Sequence, residues 1–296
     1  MAAARFAVTL LCAGCAAPPV APPASTVLLD IGSVARDLTV PAVRDGAPKA
    51  GDRVRVTAPE YQGTDVHHLL YLPTDWAPGK RFPVIVEYAG NGPYRNRFGD
   101  VSTGRVEGSN LGFGISGGEG FIWICLPYVA VAGRKNQRQW WGDVAKTVAY
   151  CKAVVPRVCR EYGGDPSAVF LVGFSRGAIA CNFIGLHDAD IAKLWCGFIC
   201  HSHYDGVRRW PYTGSDRIAA ARRLARLGDR PQWISHERSV EETRRYLAQA
   251  APDGRFTLRR LPFRNHTDEW VLRNFPLRRE LRAWVRRACS SDAGRR

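Results

Sequence analysis

Short apolar runs alternate along this chain with longer segments of helical spacing. Residues 53–57 alternate polar and apolar, the period of a half-exposed strand, and residues 66–72 form a second strand closed by Pro73 and Pro78. Further strand-like runs lie at 82–88, 121–128, 168–172, 194–200, 232–235 and 256–261. The runs at 121–128 and 168–172 are near-continuously apolar, as strands covered on both faces should be. Segments 143–162, 240–250 and 277–288 read as helices, with Pro156 expected to break or kink the first. The Gly-rich segment 95–120 is expected to be a long surface excursion, of the kind that serves as a lid or binding loop. An initial β-meander followed by alternating strands and helices predicts an α/β protein with a mostly parallel central sheet and helices on both faces. No internal repeat appears.

The junction after residues 168–172 concentrates the candidate chemistry. An apolar strand there meets a small-residue helix at 178–184, with Gly173-Phe174-Ser175-Arg176-Gly177 between them. Such a turn forces Ser175 into a sharp geometry with its hydroxyl exposed, while the flanking glycines let strand and helix approach closely. The helix start aims unpaired N–H groups at whatever Ser175 attacks. A second match to the same spacing, Gly114-Ile115-Ser116-Gly117-Gly118, leads from loop into strand, the wrong order for a nucleophile, and Ser116 is set aside.

A serine hydroxyl is a poor nucleophile until a base takes its proton. His266 follows the last predicted strand in a short polar loop and comes after the serine in chain order, which makes it the expected base. Its rivals are His201, His203 and His236. The segment 201–205 ends a strand on the same sheet edge as Ser175, so His201 and His203 are expected to line the cleft. A metal site there would lack a second ligand cluster, and neither metal nor cofactor is expected. Tyr94, Trp140 and Trp141 are candidates for an apolar or stacking wall, with ordinary packing as the competing reading.

Length bounds the rest. At 296 residues the chain suits one catalytic domain, placed at 51–290. Residues 1–17 read as a secretory leader, since the apolar run is far short of bilayer thickness. Residues 18–50, with Pro18, Pro19, Pro22 and Pro23, read as a tether and N-terminal extension. Cys12-Ala13-Gly14-Cys15 loosely resembles a bacterial lipobox, so plain export to the periplasm or exterior and membrane tethering through acylated Cys15 both stay open. The formal charge of +15 does not argue for nucleic acid, because Arg residues are spread over predicted helix faces rather than along a stripe with interleaved aromatics. A basic surface would instead concentrate acidic polymer. Nine cysteines fit an exported chain and allow one or two disulfides of unassigned pairing.

Pro83 to Asn91, Tyr162-Gly163-Gly164-Asp165-Pro166, Gly173 to Gly177 and Asn265-His266 together resemble the α/β-hydrolase superfamily. Within it, the secreted polyhydroxybutyrate-depolymerase and feruloyl-esterase-like branch is the most similar, over about residues 50–288. The resemblance implies an α/β-hydrolase fold and a serine esterase with an acyl-enzyme intermediate. It implies an ester substrate, feruloyl or acetyl esters on plant polysaccharide or polyester chains. It places the acid of the triad after residues 232–235, where Glu237 stands in place of the usual Asp. Asp205, one strand earlier, is the alternative acid, and Asp268 a more distant one. The oxyanion donors it implies are the backbone N–H groups of Arg176 and of Asn91, where relatives read His-Gly-x and this chain reads Ala89-Gly90-Asn91. A prolyl-oligopeptidase-type peptidase and a non-catalytic binding protein on the same scaffold are the competing readings.

Overall fold

The computed structural model describes residues 27–293. The expected leader, Cys12, Cys15 and the four leading prolines lie outside them. The strands are β1 (Val43–Arg44), β2 (Arg53–Val56), β3 (His68–Tyr71), β4 (Phe82–Tyr88), β5 (Tyr94–Arg95), β6 (Val101–Ser102), β7 (Ile122–Leu126), β8 (Gly164–Phe174), β9 (Gly197–His201), β10 (Gln232–His236) and β11 (Phe256–Arg260). The helices are α1 (Leu111–Ser116), α2 (Val144–Tyr162), α3 (Arg176–Phe183), α4 (Ala189–Ala192), α5 (Arg217–Leu224), α6 (Glu241–Ala250) and α7 (Pro276–Ala293). One sheet runs in the order β1-β2-β3-β7-β4-β8-β9-β10-β11, and β5 and β6 form a separate ribbon. Within the large sheet β3 opposes the direction of its neighbours and the rest run parallel.

Side-chain alternation on the central strands builds two cores. Val84, Val86, Ile124, Leu171 and Phe198 face the layer that holds α2 and α3. Their neighbours Ile85, Trp123, Phe170, Val172 and Trp233 face α1 and α7. Each such side chain contributes roughly 1.5–3 kcal/mol by leaving water. The sheet is therefore covered on both faces, as the apolar runs predict.

Helix α2 starts at Asp143, whose carboxylate accepts from Lys146 N at 2.9 Å, and stops at Gly163 with φ 77°. It runs through Pro156 without the expected break. Burial of Val154, Val155 and Val158 against the sheet offsets the ~3 kcal/mol that an interior proline costs.

The segment 95–120 is not the surface excursion its composition suggests. It carries the β5–β6 ribbon and then α1, whose Leu111, Phe113 and Ile115 are buried. Helix α1 presses so closely on β7 that a Cβ at Gly112 would lie 2.1 Å from the Trp123 ring. Buried Glu87 on β4 anchors it, accepting the N–H groups of Asn110, Leu111 and Gly112 and the Trp123 indole at 2.8–3.2 Å.

The first described residues are stitched to the end of the fold. Leu29 N donates to Pro262 O at 2.7 Å, Ile31 N to Asn265 Oδ1 at 2.8 Å, and Arg278 pairs with Asp37 at 2.6 Å. Cys125, Cys151, Cys159, Cys181 and Cys200 are buried free thiols, so the disulfide expectation fails for these five. They fill core space as small apolar groups. Among the described residues no helix is long and apolar enough to cross a membrane.

Candidate active site

Parallel strands deliver the functional side chains to one sheet edge. Asn91 follows β4, Ser175 follows β8, Ser202 and His203 follow β9, Glu237 follows β10 and His266 follows β11. The carboxyl ends of the strands are where open α/β sheets hold their ligands.

Ser175 sits at φ 55° and ψ −113°. Such a backbone costs of order 1–3 kcal/mol and persists only when its surroundings fix it. Ser175 N donates to His201 O at 2.9 Å, and Ser175 O accepts from Ala178 N at 3.0 Å and Ile179 N at 3.2 Å. The glycines make the turn possible. A Cβ on Gly173 would lie 2.1 Å from the Gly177 carbonyl group, and one on Gly177 would lie 1.9 Å from Tyr88 O.

His266 reaches Ser175, with Nε2 3.2 Å from Oγ, and its Nδ1 lies 2.7 Å from Glu237 Oε1. The consistent tautomer carries the proton on Nδ1, donates it to Glu237 and leaves Nε2 to accept from the serine hydroxyl. His266 N donates to Asp100 Oδ2 at 2.7 Å, and Asn265 Nδ2 donates to Asp100 Oδ1 at 2.8 Å. Asp100 thus pins the histidine loop from below. The Phe174 and Tyr94 rings flank the imidazole at 4.9 and 5.6 Å.

Glu237 is 4% exposed. Burial alone would raise its carboxyl, but the hydrogen bond and charge of His266, then His236 and His201, hold it well below the usual range. Ser202 completes its shell. At φ 85°, Ser202 places Oγ 2.8 Å from Glu237 Oε2 and 2.8 Å from His266 Nδ1, so one hydroxyl donates to the carboxylate and accepts from the imidazole. Ser202 N donates to Ser235 O at 2.7 Å, which holds this strained residue in place.

The rival histidines are occupied otherwise. His201 donates from Nε2 to Thr267 O and accepts from Ser235 Oγ, both at 3.0 Å, beneath Phe174. It does not line the cleft as expected, because β9 turns its ring into the core, where burial pushes its pKa down to about 4. His236 accepts the Arg238 N–H at 3.0 Å, and burial lowers it too. His203 does line the pocket, its ring 5.2 Å from that of His266, and burial pushes it down to about 3.

The alternative acid is elsewhere. Asp205 is buried in a two-pronged pair with Arg223, at 2.8 and 3.1 Å, on α5. Asp268 accepts from Asn110 Nδ2 at 2.8 Å beside Glu87. Burial, then the Glu87 charge, pushes Asp268 up to about 8.

Arg176 opens α3, so its backbone N–H has no intrahelical partner. Its side chain does unexpected work. Buried and 3.9 Å over the Tyr128 ring, the guanidinium donates to Trp140 O at 2.6 Å, Gly90 O at 2.9 Å and Ala89 O at 3.4 Å. Arg176 therefore clamps the loop carrying Asn91, and Asn91 Oδ1 accepts from Trp140 N at 2.7 Å.

Ser175, His266, Tyr94, Trp140, His203 and Trp210 line a pocket of about 150 Å³, with Asn91 at its rim. Trp141 is not part of that wall. It is 3% exposed and packs on Phe183 at 4.5 Å and Tyr212 at 5.1 Å, supporting Trp140 from below. Sequence reasoning missed Asp100, Ser202, Trp210 and the Arg176 guanidinium; Asp100 sits in a Gly-rich stretch and Ser202 between two histidines that draw the attention. Among the described residues no group of three or more His, Cys, Asp or Glu side chains is placed to hold a metal ion.

No family model matches the sequence, and no curated protein matches it. Solved structures do. An acetyl ester-xyloside bifunctional hydrolase from Caldicellulosiruptor lactoaceticus superposes with TM-score 0.54 at 15% identity, over 84% of this chain and 99% of that one. An esterase from Rhizomucor miehei gives TM-score 0.51 at 12% identity, over 81% and 84%. The chain spans 59% of the length of a thermostable esterase that it matches over 80% of its own, at 15% identity and TM-score 0.42. Identities this low speak to architecture, and the architecture is the α/β-hydrolase fold.

Proposed function

We propose that this protein is a serine carboxylic-ester hydrolase acting through an acyl-enzyme intermediate. The observation that carries the reading is the relay Ser175 Oγ, His266 Nε2, His266 Nδ1, Glu237 Oε1, with separations of 3.2 and 2.7 Å, on a serine held at φ 55°. Ser175 Oγ attacks the ester carbonyl as His266 Nε2 takes its proton, and the Glu237 carboxylate stabilises the imidazolium. The oxyanion is met by the Arg176 and Asn91 N–H groups. His266 then protonates the departing alkoxide, leaving Ser175 acylated. Water, deprotonated by His266, hydrolyses that acyl ester and restores the serine.

The pocket of about 150 Å³ favours a short acyl group such as acetyl, with the alcohol part outside. Acetyl esters on a polysaccharide are therefore preferred to feruloyl esters or long polyester chains. The leader-like residues 1–17 support export to the periplasm or exterior, plain or tethered through Cys15, where such polymers occur.

The test is hydrolysis of nitrophenyl acetate, butyrate and octanoate and of methyl ferulate by wild type and Ser175→Ala. Acetate should be fastest and Ser175→Ala inactive on all four. Equal rates for wild type and Ser175→Ala on every ester would refute the reading.

A further inference from the structure

Beside the small catalytic pocket lies a larger open groove of about 780 Å³. The two share their dividing rim. Gly92, Pro93, Arg138 and Gln139 line the groove, while the adjoining Asn91, Tyr94 and Trp140 line the pocket. Hydrogen bonds lace the rim, from Gly92 N to Arg138 O at 3.1 Å and from Trp140 N to Asn91 Oδ1 at 2.7 Å. A chain-like molecule whose reacting group sat at Ser175 would lie across this rim and into the groove.

Charge in the groove is unbalanced. Arg55 and His67 pair with Glu107, at 3.5 and 3.0 Å, and the His67 hydrogen bond, helped by the charges of His67 and Arg55, holds that carboxyl down at about 2. Arg105, Lys135 and Arg138 also line the groove, and among the described residues none of them makes a salt bridge. Arg138 is fixed by its Nε bond to Thr103 O at 3.0 Å, which leaves the outer guanidinium nitrogens to face a ligand. Asp65 is the remaining carboxylate on the wall. Thr57, Thr64, Asn136 and Gln137 supply hydroxyl and amide groups between the charges. Cations spaced along an open groove and interleaved with neutral hydrogen-bonding groups suit a ligand that carries carboxylates and hydroxyls together.

We propose that this groove is a subsite for a carboxylate-bearing oligosaccharide, so that the ester substrate is an acetylated uronic-acid polymer rather than a neutral one. As a statement about substrate, this rests on the ester-hydrolase reading. As a statement about binding, it does not. The ester-bearing residue sits at Ser175 between Tyr94, Trp140 and Trp210, and neighbouring uronate residues of the polymer place their carboxylates on Arg105, Lys135 and Arg138. Binding energy from these remote contacts holds the reacting ester in place.

The experiment is calorimetric titration of the full-length protein with de-esterified oligogalacturonate, which has no ester to cleave, at 50 and 500 mM NaCl. Xylohexaose serves as the neutral comparison and oligoglutamate as the acidic peptide. The expected result is 1:1 binding of oligogalacturonate that weakens at least tenfold at the higher salt. It should also weaken at least tenfold in Arg105→Glu/Lys135→Glu, two exposed positions, with an unchanged melting temperature showing the variant folded. Xylohexaose should not bind. Undetectable oligogalacturonate binding, or binding indifferent to the double substitution, would overturn the proposal. Equal affinity for oligoglutamate would overturn its assignment to saccharide. Turnover of nitrophenyl acetate, measured alongside, reports separately on the hydrolase reading, so that reading can fail while the groove stands. Where both hold, kcat/KM for acetylated oligogalacturonate should exceed that for acetylated xylo-oligosaccharide at least tenfold at 50 mM NaCl, with the two converging at 500 mM.

Discussion

Replacing Glu237 by Gln keeps the side-chain shape and removes its charge. The carboxylate is 4% exposed and lies 2.7 Å from His266 Nδ1, so its interaction with the imidazolium formed during attack is little screened by water. An amide at this place loses a charge-assisted hydrogen bond, about 1.5–3 kcal/mol. It also offers an N–H toward Nδ1, which favours the tautomer with the proton on Nε2, facing Ser175, where a base is needed. Together these effects predict a fall in kcat/KM of roughly 10³–10⁴, about 4–5.5 kcal/mol. The assay is nitrophenyl acetate hydrolysis from pH 5 to 9, beside Asp205→Asn. That control leaves the buried Arg223 without its charged partner, so it should cost about 3 kcal/mol of stability while leaving kcat near wild type. Melting below neutral pH gives a second readout. The Glu237 carboxyl ionises near 4.5 in the unfolded chain and lower in the fold, so its stabilisation is present above that pH and lost as pH falls through the folded value. Glu237→Gln should flatten that acid limb. If Glu237→Gln keeps more than a tenth of wild-type activity while Asp205→Asn loses more than a hundredfold, the acid assignment is refuted.

Three further outcomes are expected. Ser202→Ala removes the hydroxyl shared by Glu237 and His266, and should lower kcat about 10–100-fold with KM little changed; an unchanged kcat would exclude a positioning role. Gly177→Ala puts a Cβ 1.9 Å from Tyr88 O, so the elbow must shift, and a loss on the order of 3 kcal/mol or more should appear in denaturant melts. Asp268 ionises near 3.8 unfolded and near 8 in the fold, so unfolding releases its proton between those values and stability falls as pH rises across them. Asp268→Asn should remove that slope, and parallel melting curves for wild type and variant from pH 5 to 8 would count against it.

Sheet and elbow were legible because each rests on a local rule. Apolar runs give strands whose alternate residues fill two cores, and Gly173, Ser175 and Gly177 sit where backbones nearly touch. Helix α1 was hidden because Gly112 and Gly114 interrupt its apolar residues, and their smallness is a packing requirement set by Trp123 and Val271 from distant parts of the chain. Pro156 misled because its cost is local while the compensating burial of α2 is tertiary. His201 and His203 read alike, but β9 ends at His201 with its ring in the core, and the turn at Ser202, φ 85°, breaks the strand alternation and sends His203 into the pocket. Which carboxylate faces His266 depends on Arg223 claiming Asp205, a pairing 18 residues apart that no motif announces.

The central claim is that Ser175 is a nucleophile driven by His266 and Glu237, and intact-mass analysis after reaction with a fluorophosphonate tests it most directly. One adduct per chain is expected, mapping to Ser175, absent in Ser175→Ala and slowed at least a hundredfold in His266→Ala. A folded wild type that stays unlabelled, or labelling at Ser116 or another residue with Ser175 untouched, would contradict it.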